Sequence, residues 1–205
     1  MTFYLYIIIF LFFRIQTLNA QKSTIVCNGN FHQGDDRFRE TAGAQCLPNV
    51  LGALATLPLL YNPESSDLDD LLNYGDILYR YIQQYFHDDE PHIYIDINRI
   101  RDTFPFASQT YSLYKYAELY VHKDYLDSLM QNSTTCLTLI DAINQSFKSS
   151  KTVVVMIEES NIALYKRNEN YFSFDPHSRN ENGLPIPNGF SVLLKHSTVQ
   201  ALLQF

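Results

Sequence analysis

The C-terminal quarter of the chain is a run of short segments with the pattern of β-strands. Residues 151–160 read KTVVVMIEES, which is a β-branched run between polar residues. The segments NIALYKRN and NYFSFD follow and alternate apolar with polar residues, and FSVLLKH stands near the end. Segments of this kind, joined by short turns, are typical of neighbouring antiparallel strands. The pattern therefore predicts an antiparallel sheet.

The segment that begins at Cys46 has the spacing of a helix with a buried face. Its apolar residues recur mostly at steps of three and four, as expected for one face of a helix. Pro48 fits the first turn, where its missing N–H removes no internal hydrogen bond. Pro58 is the predicted stop, because a residue before proline is pushed out of the helical region.

Residues 65–86 predict a second helix, which we expect Gly75 to interrupt. Helices that precede a sheet are the order of an α+β domain, whereas a doubly wound sheet would alternate strands and helices. No internal repeat or low-complexity tract divides the chain after Gln21. We therefore predict one domain over residues 24–205.

The first 21 residues have a different character. FYLYIIIFLFF is an apolar stretch of about eleven residues, too short for the ~20 that span a bilayer as a helix. Arg14 follows it, and LNAQ offers a cleavage site after Ala20. The stretch resembles a secretory signal peptide, although it lacks a basic start. We interpret residues 1–21 as a hydrophobic leader and expect no stable membrane span beyond it. An uncleaved anchor and an upstream extension without structural meaning are the alternatives.

Charge and cysteine content exclude several classes of protein. The net charge of −7 offers no basic face for phosphates, so we expect no nucleic-acid partner. The three cysteines, Cys27, Cys46 and Cys136, form no CxxC pair. We therefore expect neither a zinc site nor a disulfide-rich scaffold, and no cofactor. The sequence leaves open whether Cys27 and Cys136 pair.

Cys46 stands where a loop becomes a helix. The unpaired N–H groups and the positive dipole end at a helix start favour the thiolate form of a cysteine. Gly43, three residues earlier, permits a sharp turn that exposes the sulfur. A small hydrophobic residue that opens a buried helix is the alternative interpretation. A catalytic thiolate would also need a histidine nearby.

Among the six histidines, His177 has the most suggestive neighbour. Asp175 precedes it by two residues in FSFDPHSRN, and residues i and i+2 of an extended segment share a face. The carboxylate can then hold one ring nitrogen while the other addresses a thiol. The same spacing also fits an ordinary turn. His32 lacks a suitably spaced carboxylate, and we interpret the others as surface residues: His87, His92, His122 and His196.

Two blocks of the sequence resemble a known family. GDDRFRETAGAQCLPNVLGAL resembles the segment around the nucleophile of the herpesvirus large tegument protein deubiquitinases. The block 152–194 resembles the hairpin and Asp-x-His motif of that family, and it is similar to related domains from mobile-element-derived genes of animals. The two blocks bracket most of residues 28–200. The family pattern matches at Gln33, directly before the first block, and within that block at Gly43, Gln45, Cys46 and Asn49.

The resemblance implies a papain-like cysteine peptidase fold, with the nucleophile at the N-terminus of a central helix packed on an antiparallel sheet. It implies a cysteine-type deubiquitinase in which Cys46 is the nucleophile and His177 the general acid/base. Asp175 would orient the imidazole, and Gln33 would donate to the oxyanion together with the backbone N–H of Cys46. Gln45 is the competing candidate for the oxyanion role, but its place in the turn favours positioning of the backbone instead. The implied partner is ubiquitin or its conjugates, and the implied oligomeric state is a monomer.

Two alternative functions stay open. The same three residues would serve another papain-like thiol protease, which a secretory leader would place outside the cell. A relative that binds ubiquitin without cleaving it is the second alternative. The family resemblance implies the cytoplasm or nucleus instead of secretion. Acidic segments at residues 67–70 and 88–90 would complement the arginines of the ubiquitin tail.

Overall fold

The computed structural model describes residues 2–10, 23–86, 94–121, 139–157 and 160–203. Its strands are β1 (Thr2–Phe10), β2 (Ser23–Asn28), β3 (Thr103–Phe106), β4 (Gln109–Val121), β5 (Thr152–Ile157), β6 (Ser160–Arg167), β7 (Asn170–Arg179) and β8 (Phe190–His196). Its α-helices are α1 (Cys46–Thr56), α2 (Ser65–Phe86), α3 (Leu139–Ser149) and α4 (Val199–Leu202). Short 3-10 helices span Asp36–Thr41, Leu57–Leu59 and Ile97–Arg99.

The antiparallel sheet predicted for the C-terminal quarter is confirmed. β5 pairs with β6, β6 with β7 and β7 with β8, each antiparallel, and β2 adds to the outer edge of β8. The described strands form one sheet in the order β2-β8-β7-β6-β5-β1-β4-β3. The long helices α1 and α2 precede strands β5 to β8 in the chain, so the α+β class is confirmed as well.

The apolar stretch at the start of the chain lies within this sheet as far as Phe10, the last of its described residues. β1 pairs in parallel with β4 on one side and with β5 on the other. The cleavage site predicted after Ala20 lies outside the described residues, and a leader role for residues 1–21 stays a prediction. In the described part of the chain, no helix has both the length and the apolar character needed to cross a membrane.

Helix α1 is the central helix of the fold. Every residue from Cys46 to Ala55 is buried, and the helix contacts α2 on one side and β6 and β7 on the other. A helix that is apolar all round is expected in such an interior position. Pro58 falls in the 3-10 turn that follows α1, which confirms it as the stop signal.

Helix α2 runs through Gly75 without a break, so the predicted interruption is wrong. The glycine instead lets α1 and α2 approach each other. A Cβ atom at position 75 would lie 1.7 Å from Oδ1 of Asn49 on α1. A second glycine, Gly52, fits α1 against β3, because a Cβ there would lie 1.9 Å from the ring of Phe106. Both glycines therefore fix how the helix that begins at Cys46 is seated.

Candidate active site

Cys46 is the first residue of α1, directly after a sharp turn. Gly43 has φ +84°, a conformation that glycine adopts without strain, so the predicted turn is confirmed. The predicted exposure of the sulfur is wrong, because packing against neighbouring elements leaves Cys46 only 2% exposed. No side chain caps the helix start, and its first turn holds no acidic residue. The N–H groups around Cys46 therefore meet no competing carboxylate from their own turn.

His177 and Asp175 are joined as their spacing predicts. Oδ1 of Asp175 accepts from the backbone N–H of His177 at 2.9 Å and contacts its Nδ1 at 2.7 Å. Because Nδ1 is engaged, Nε2 is left for Cys46, to which the imidazole is also hydrogen-bonded. The fold thus brings Cys46, His177 and Asp175 into one hydrogen-bonded line.

The charges in this line stabilise each other. Burial disfavours the protonated His177, but its hydrogen bonds with Asp175 and Cys46 and their charges outweigh burial and raise its pKa to about 9. Burial also disfavours the charged Asp175, and there the hydrogen bond from His177 and nearby positive charges prevail and lower its pKa. At neutral pH the pair is therefore an imidazolium and a carboxylate.

A bulge in β7 turns His177 out of the regular strand. Asp175 pairs with Val192 of β8, and Arg179 pairs with Phe190, so the three residues of β7 between these pairs oppose a single residue of β8. Such bulges redirect side chains beside active sites. Arg179 returns to the strand and donates through Nε to Oδ2 of Asp175 at 2.7 Å. The carboxylate is therefore held at both oxygens, an arrangement that the sequence analysis did not foresee.

The loop after this bulge depends on a glycine. A Cβ at Gly189 would lie 2.2 Å from the carbonyl oxygen of Arg179. The N–H of Gly189 also donates to Oγ of Ser178 at 2.6 Å. A larger residue at position 189 would push away the backbone that carries Arg179, so the glycine protects the shape of the bulge.

The backbone of Gln33 is hydrogen-bonded both to the bulge that carries His177 and to the turn before Cys46. Its N–H donates to the carbonyl of Pro176 at 2.9 Å, between Asp175 and His177. Its own carbonyl accepts from the N–H of Gly43 at 2.9 Å. The turn before Cys46 and the bulge that carries His177 are therefore connected through one residue, which is 3% exposed.

The side chain of Gln33 is oriented by its neighbours. Nδ2 of Asn49 donates to Oε1 of Gln33 at 3.3 Å, and Nε2 of Gln33 donates to the carbonyl of Gly43 at 3.4 Å. Since the amide oxygen faces Asn49, the N–H donors are directed towards the turn before Cys46. This is the orientation that an oxyanion donor requires.

Gln45 lies in the same turn with its side chain directed elsewhere. Its Nε2 donates to Oδ1 of Asp76 on α2 at 3.3 Å, and the hydroxyl of Thr41 donates to the same oxygen. Arg80 completes the cluster through Nε to Oδ2 of Asp76 at 2.9 Å and Nη1 to Glu40 at 2.6 Å. These contacts hold the turn against α2, which supports the backbone-positioning interpretation of Gln45.

A further polar side chain reaches the sulfur of Cys46. Nδ2 of Asn161, on β6, lies 2.8 Å from Sγ, and the residue is 6% exposed. Sequence analysis missed it, because a single polar residue at the start of a strand has no distinctive local pattern. Only the packing of α1 on β6 brings the two residues together.

The other described histidines lie outside this line. His196 is fully buried between the hydroxyls of Ser23 and Ser173, each 2.8 Å from a ring nitrogen, so its interpretation as a surface residue is wrong. Burial lowers the pKa of His32, and the charge of His177 lowers it further against the opposing charge of Asp35. The remaining three lie outside the described residues: His87, His92 and His122.

Metal-binding clusters and a second reactive thiol would be the other sources of chemistry among the described residues. Within them, no group of three His, Cys, Asp or Glu side chains is placed to hold a metal ion. Burial, with the charges of Asp67 and Glu64, raises the pKa of Cys27 to about 11, so this thiol stays protonated at neutral pH. Cys136 lies outside the described residues, and its pairing with Cys27 is untested.

A thiol, an imidazole, a carboxylate and an oriented amide are the groups that thiol-dependent acyl transfer uses. The thiolate attacks a carbonyl, the imidazolium protonates the leaving group, and the amide N–H stabilises the oxyanion. The arrangement can therefore cleave an amide or ester through a thioester.

Comparison with known proteins points to one family. The sequence profile of the family described as herpesvirus tegument protein, N-terminal conserved region, matches residues 28–205. The structure resembles the ubiquitin-specific protease encoded by a murine cytomegalovirus tegument protein, solved in complex with a ubiquitin-based suicide substrate. That match has a TM-score of 0.64 at 13% identity and covers 89% of this chain and 77% of the other, which supports the papain-like fold. No curated protein sequence matches the chain.

Proposed function

Because the chain belongs to the family of the herpesvirus tegument protein N-terminal conserved region, we propose that it is a cysteine-type deubiquitinase. The substrate is the peptide or isopeptide bond after the C-terminal Gly-Gly of ubiquitin. The observation that carries the proposal is the hydrogen-bonded line from Cys46 through His177 to Asp175. The likeness to a structure with a ubiquitin-based substrate supports the choice of ubiquitin.

Acylation begins with the proton of Cys46 on His177. The thiolate attacks the carbonyl carbon of the terminal glycine, and the carbonyl electrons move to the oxygen. His177 then donates its proton to the leaving amine, the C–N bond breaks, and a thioester remains on Sγ. The pKa of His177, raised to about 9, keeps this proton available at neutral pH.

Deacylation reverses the role of the imidazole. Neutral His177 takes a proton from water while the water oxygen attacks the thioester carbonyl. The C–S bond breaks, the ubiquitin carboxylic acid leaves and loses its remaining proton to solvent, and the thiolate–imidazolium pair returns. In both steps Nε2 of Gln33 and the backbone N–H of Cys46 donate to the oxyanion, while Asp175 keeps Nδ1 oriented.

One chain supplies every group that this mechanism uses, so we propose that the enzyme acts as a monomer. The acidic segment at residues 67–70 partly serves the fold. Asp69 accepts from the backbone N–H of Asn30 at 2.8 Å, and Asp67 accepts from the N–H of Glu64 at 2.7 Å. Contact of this segment with the ubiquitin tail stays a prediction. The segment at residues 88–90 lies outside the described residues.

A ubiquitin probe with a thiol-reactive C-terminus tests the proposal. We expect one adduct on the wild type, none on Cys46→Ala, and none when the probe lacks ubiquitin's last two glycines. Hydrolysis of a ubiquitin C-terminal fluorogenic amide gives the turnover rate. Absence of an adduct on the wild type, or an equal adduct on Cys46→Ala, would overturn the assignment.

The same assay separates the alternatives. Measurable ubiquitin binding without adduct or hydrolysis would identify a non-catalytic relative. Cleavage of peptide substrates at rates above those for ubiquitin amides would identify a general papain-like thiol protease. Only hydrolysis that requires both ubiquitin and Cys46 supports a deubiquitinase.

A further inference from the structure

We propose that Asn161 is a catalytic residue that donates its side-chain N–H to the thiolate of Cys46. The inference rests on the thiol chemistry of the proposed function. Nδ2 of Asn161 lies 2.8 Å from Sγ, and the contact is buried. The geometry places this donor on β6, whereas His177 approaches the sulfur from β7.

The burial of Asn161 has no other explanation among the described residues. Its side chain is nearly inaccessible, and its Oδ1 has no hydrogen-bond partner among them. A buried amide with an unpaired oxygen destabilises a fold. An apolar side chain of the same size would serve β6 and α1 better, so the contact with sulfur is what this amide contributes.

The chemistry of the first step favours an N–H donor at this place. When the proton of Cys46 moves to Nε2 of His177, negative charge develops on Sγ. A hydrogen bond to a charged acceptor is stronger than one to a neutral acceptor. Asn161 therefore stabilises the thiolate more than the thiol, and its N–H is released when Sγ forms the thioester. Unlike His177, it does so without a change in its own protonation.

Alkylation of Cys46 by iodoacetamide tests this role without ubiquitin. We expect Asn161→Leu to lower the second-order rate constant at pH 7 about 10- to 100-fold, the range for a hydrogen bond to a charged group. Asn161→Asp, which keeps the shape, places a carboxylate beside the sulfur and should be slower still. Cys46→Ala defines the background from other thiols, and thermal unfolding of each variant identifies loss of fold.

Asn170→Leu is the matched control, because the amide of Asn170 donates to the carbonyl of Asn168 in the turn before β7. Its alkylation rate should equal that of the wild type. An unchanged or faster rate in folded Asn161→Leu would overturn the inference, since the opposite amide orientation would stabilise the neutral thiol. If the wild type alkylates rapidly and Asn161→Leu slowly, but ubiquitin is not cleaved, the inference stands and the proposed deubiquitinase fails. If the wild type and Asn161→Leu cleave ubiquitin equally fast, the deubiquitinase stands and the inference about Asn161 fails.

Discussion

Arg179 and Asp175 form an ion pair in which Nε donates to Oδ2 at 2.7 Å, while the side chain of Asp175 is fully buried. Arg179→Met would leave that oxygen buried and unpaired. We expect a loss of about 3 kcal/mol in the free energy of unfolding, the scale for breaking a buried pair, together with a fall in kcat. Urea unfolding and ubiquitin-amide hydrolysis measure the two effects.

The control for this change is Arg37→Met. Arg37 pairs with Asp35 at 3.0 Å, but their side chains are 49% and 32% exposed. Exposed pairs contribute about 0–1 kcal/mol. If the two substitutions lower the free energy of unfolding equally, the buried pair between Arg179 and Asp175 contributes no more stability than an exposed pair.

Asp175→Asn keeps the shape of the site and removes the charge that raises the pKa of His177. The imidazolium should then lose its proton at a lower pH than about 9. We expect the alkaline limb of the kcat profile to move to lower pH, and kcat to fall by about 10⁴. Asp141→Asn, on the exposed side of α3, should leave the profile unchanged. An unmoved limb in Asp175→Asn would contradict the pairing.

Asn49 orients Gln33, and a double-mutant cycle tests the relationship. Gln33→Ala should lower kcat by about 10²–10³, the scale for one oxyanion donor. Asn49→Asp places a carboxylate against Oε1 of Gln33, so the amide should turn and kcat should fall with little change in KM. In the Gln33→Ala background, Asn49→Asp should cause almost no further fall in kcat. Additive losses would mean that Asn49 acts by another route.

Gly75→Ala should destabilise the protein, although alanine usually favours a helix over glycine by about 1 kcal/mol. The added Cβ would lie 1.7 Å from Oδ1 of Asn49. We expect a loss of about 1–3 kcal/mol from overpacking and a lower kcat through displacement of Asn49. Asn73→Ala, at an exposed position of α2, should instead raise stability by about 0.5 kcal/mol. Thermal unfolding compares the two substitutions.

His196 should make the fold sensitive to acid. Burial lowers its pKa from 6.5 to about 4. Above pH 6.5 the residue is neutral in both states, but as the pH falls towards 4 only the unfolded chain takes up the proton. Stability should therefore fall across that window, by up to about 3 kcal/mol.

Urea unfolding at several pH values checks the prediction for His196. In His196→Gln the free energy of unfolding should change less with pH between 6.5 and 4. His177 does not interfere, because its raised pKa makes it protonated in both states below pH 6.5; its contribution is lost as the pH rises from 6.5 through about 9. A wild-type curve as flat as that of His196→Gln between pH 6.5 and 4 would contradict the burial argument.

Much of the fold and part of the site could be predicted from sequence, because they depend on local periodicity. A β-branched run identified β5, alternation identified β6 and β7, and three- and four-residue spacing identified α1. The i, i+2 spacing correctly predicted that Asp175 would meet His177. Residues 2–10 show the limit of such patterns, since an apolar stretch fits a leader as well as it fits β1.

The roles of Gly75 and His196 could not be predicted from their neighbours in sequence. Glycine in a helix normally weakens it, yet at position 75 it makes room for Asn49. A histidine near the end of the chain is usually exposed, yet β8 places His196 between two hydroxyls. In both cases a residue more than twenty positions away determines the role.

The sequence by itself determined that a thiol stands at a helix start and that an aspartate and a histidine share one face of a distant strand. Tertiary structure alone decided that α1 lies against β6 and β7, so that His177 and Asn161 both reach Cys46. It also decided that the bulge in β7 returns Arg179 to Asp175. The physical reason is that periodicity assigns a side chain to a face, whereas packing of whole elements decides which faces meet.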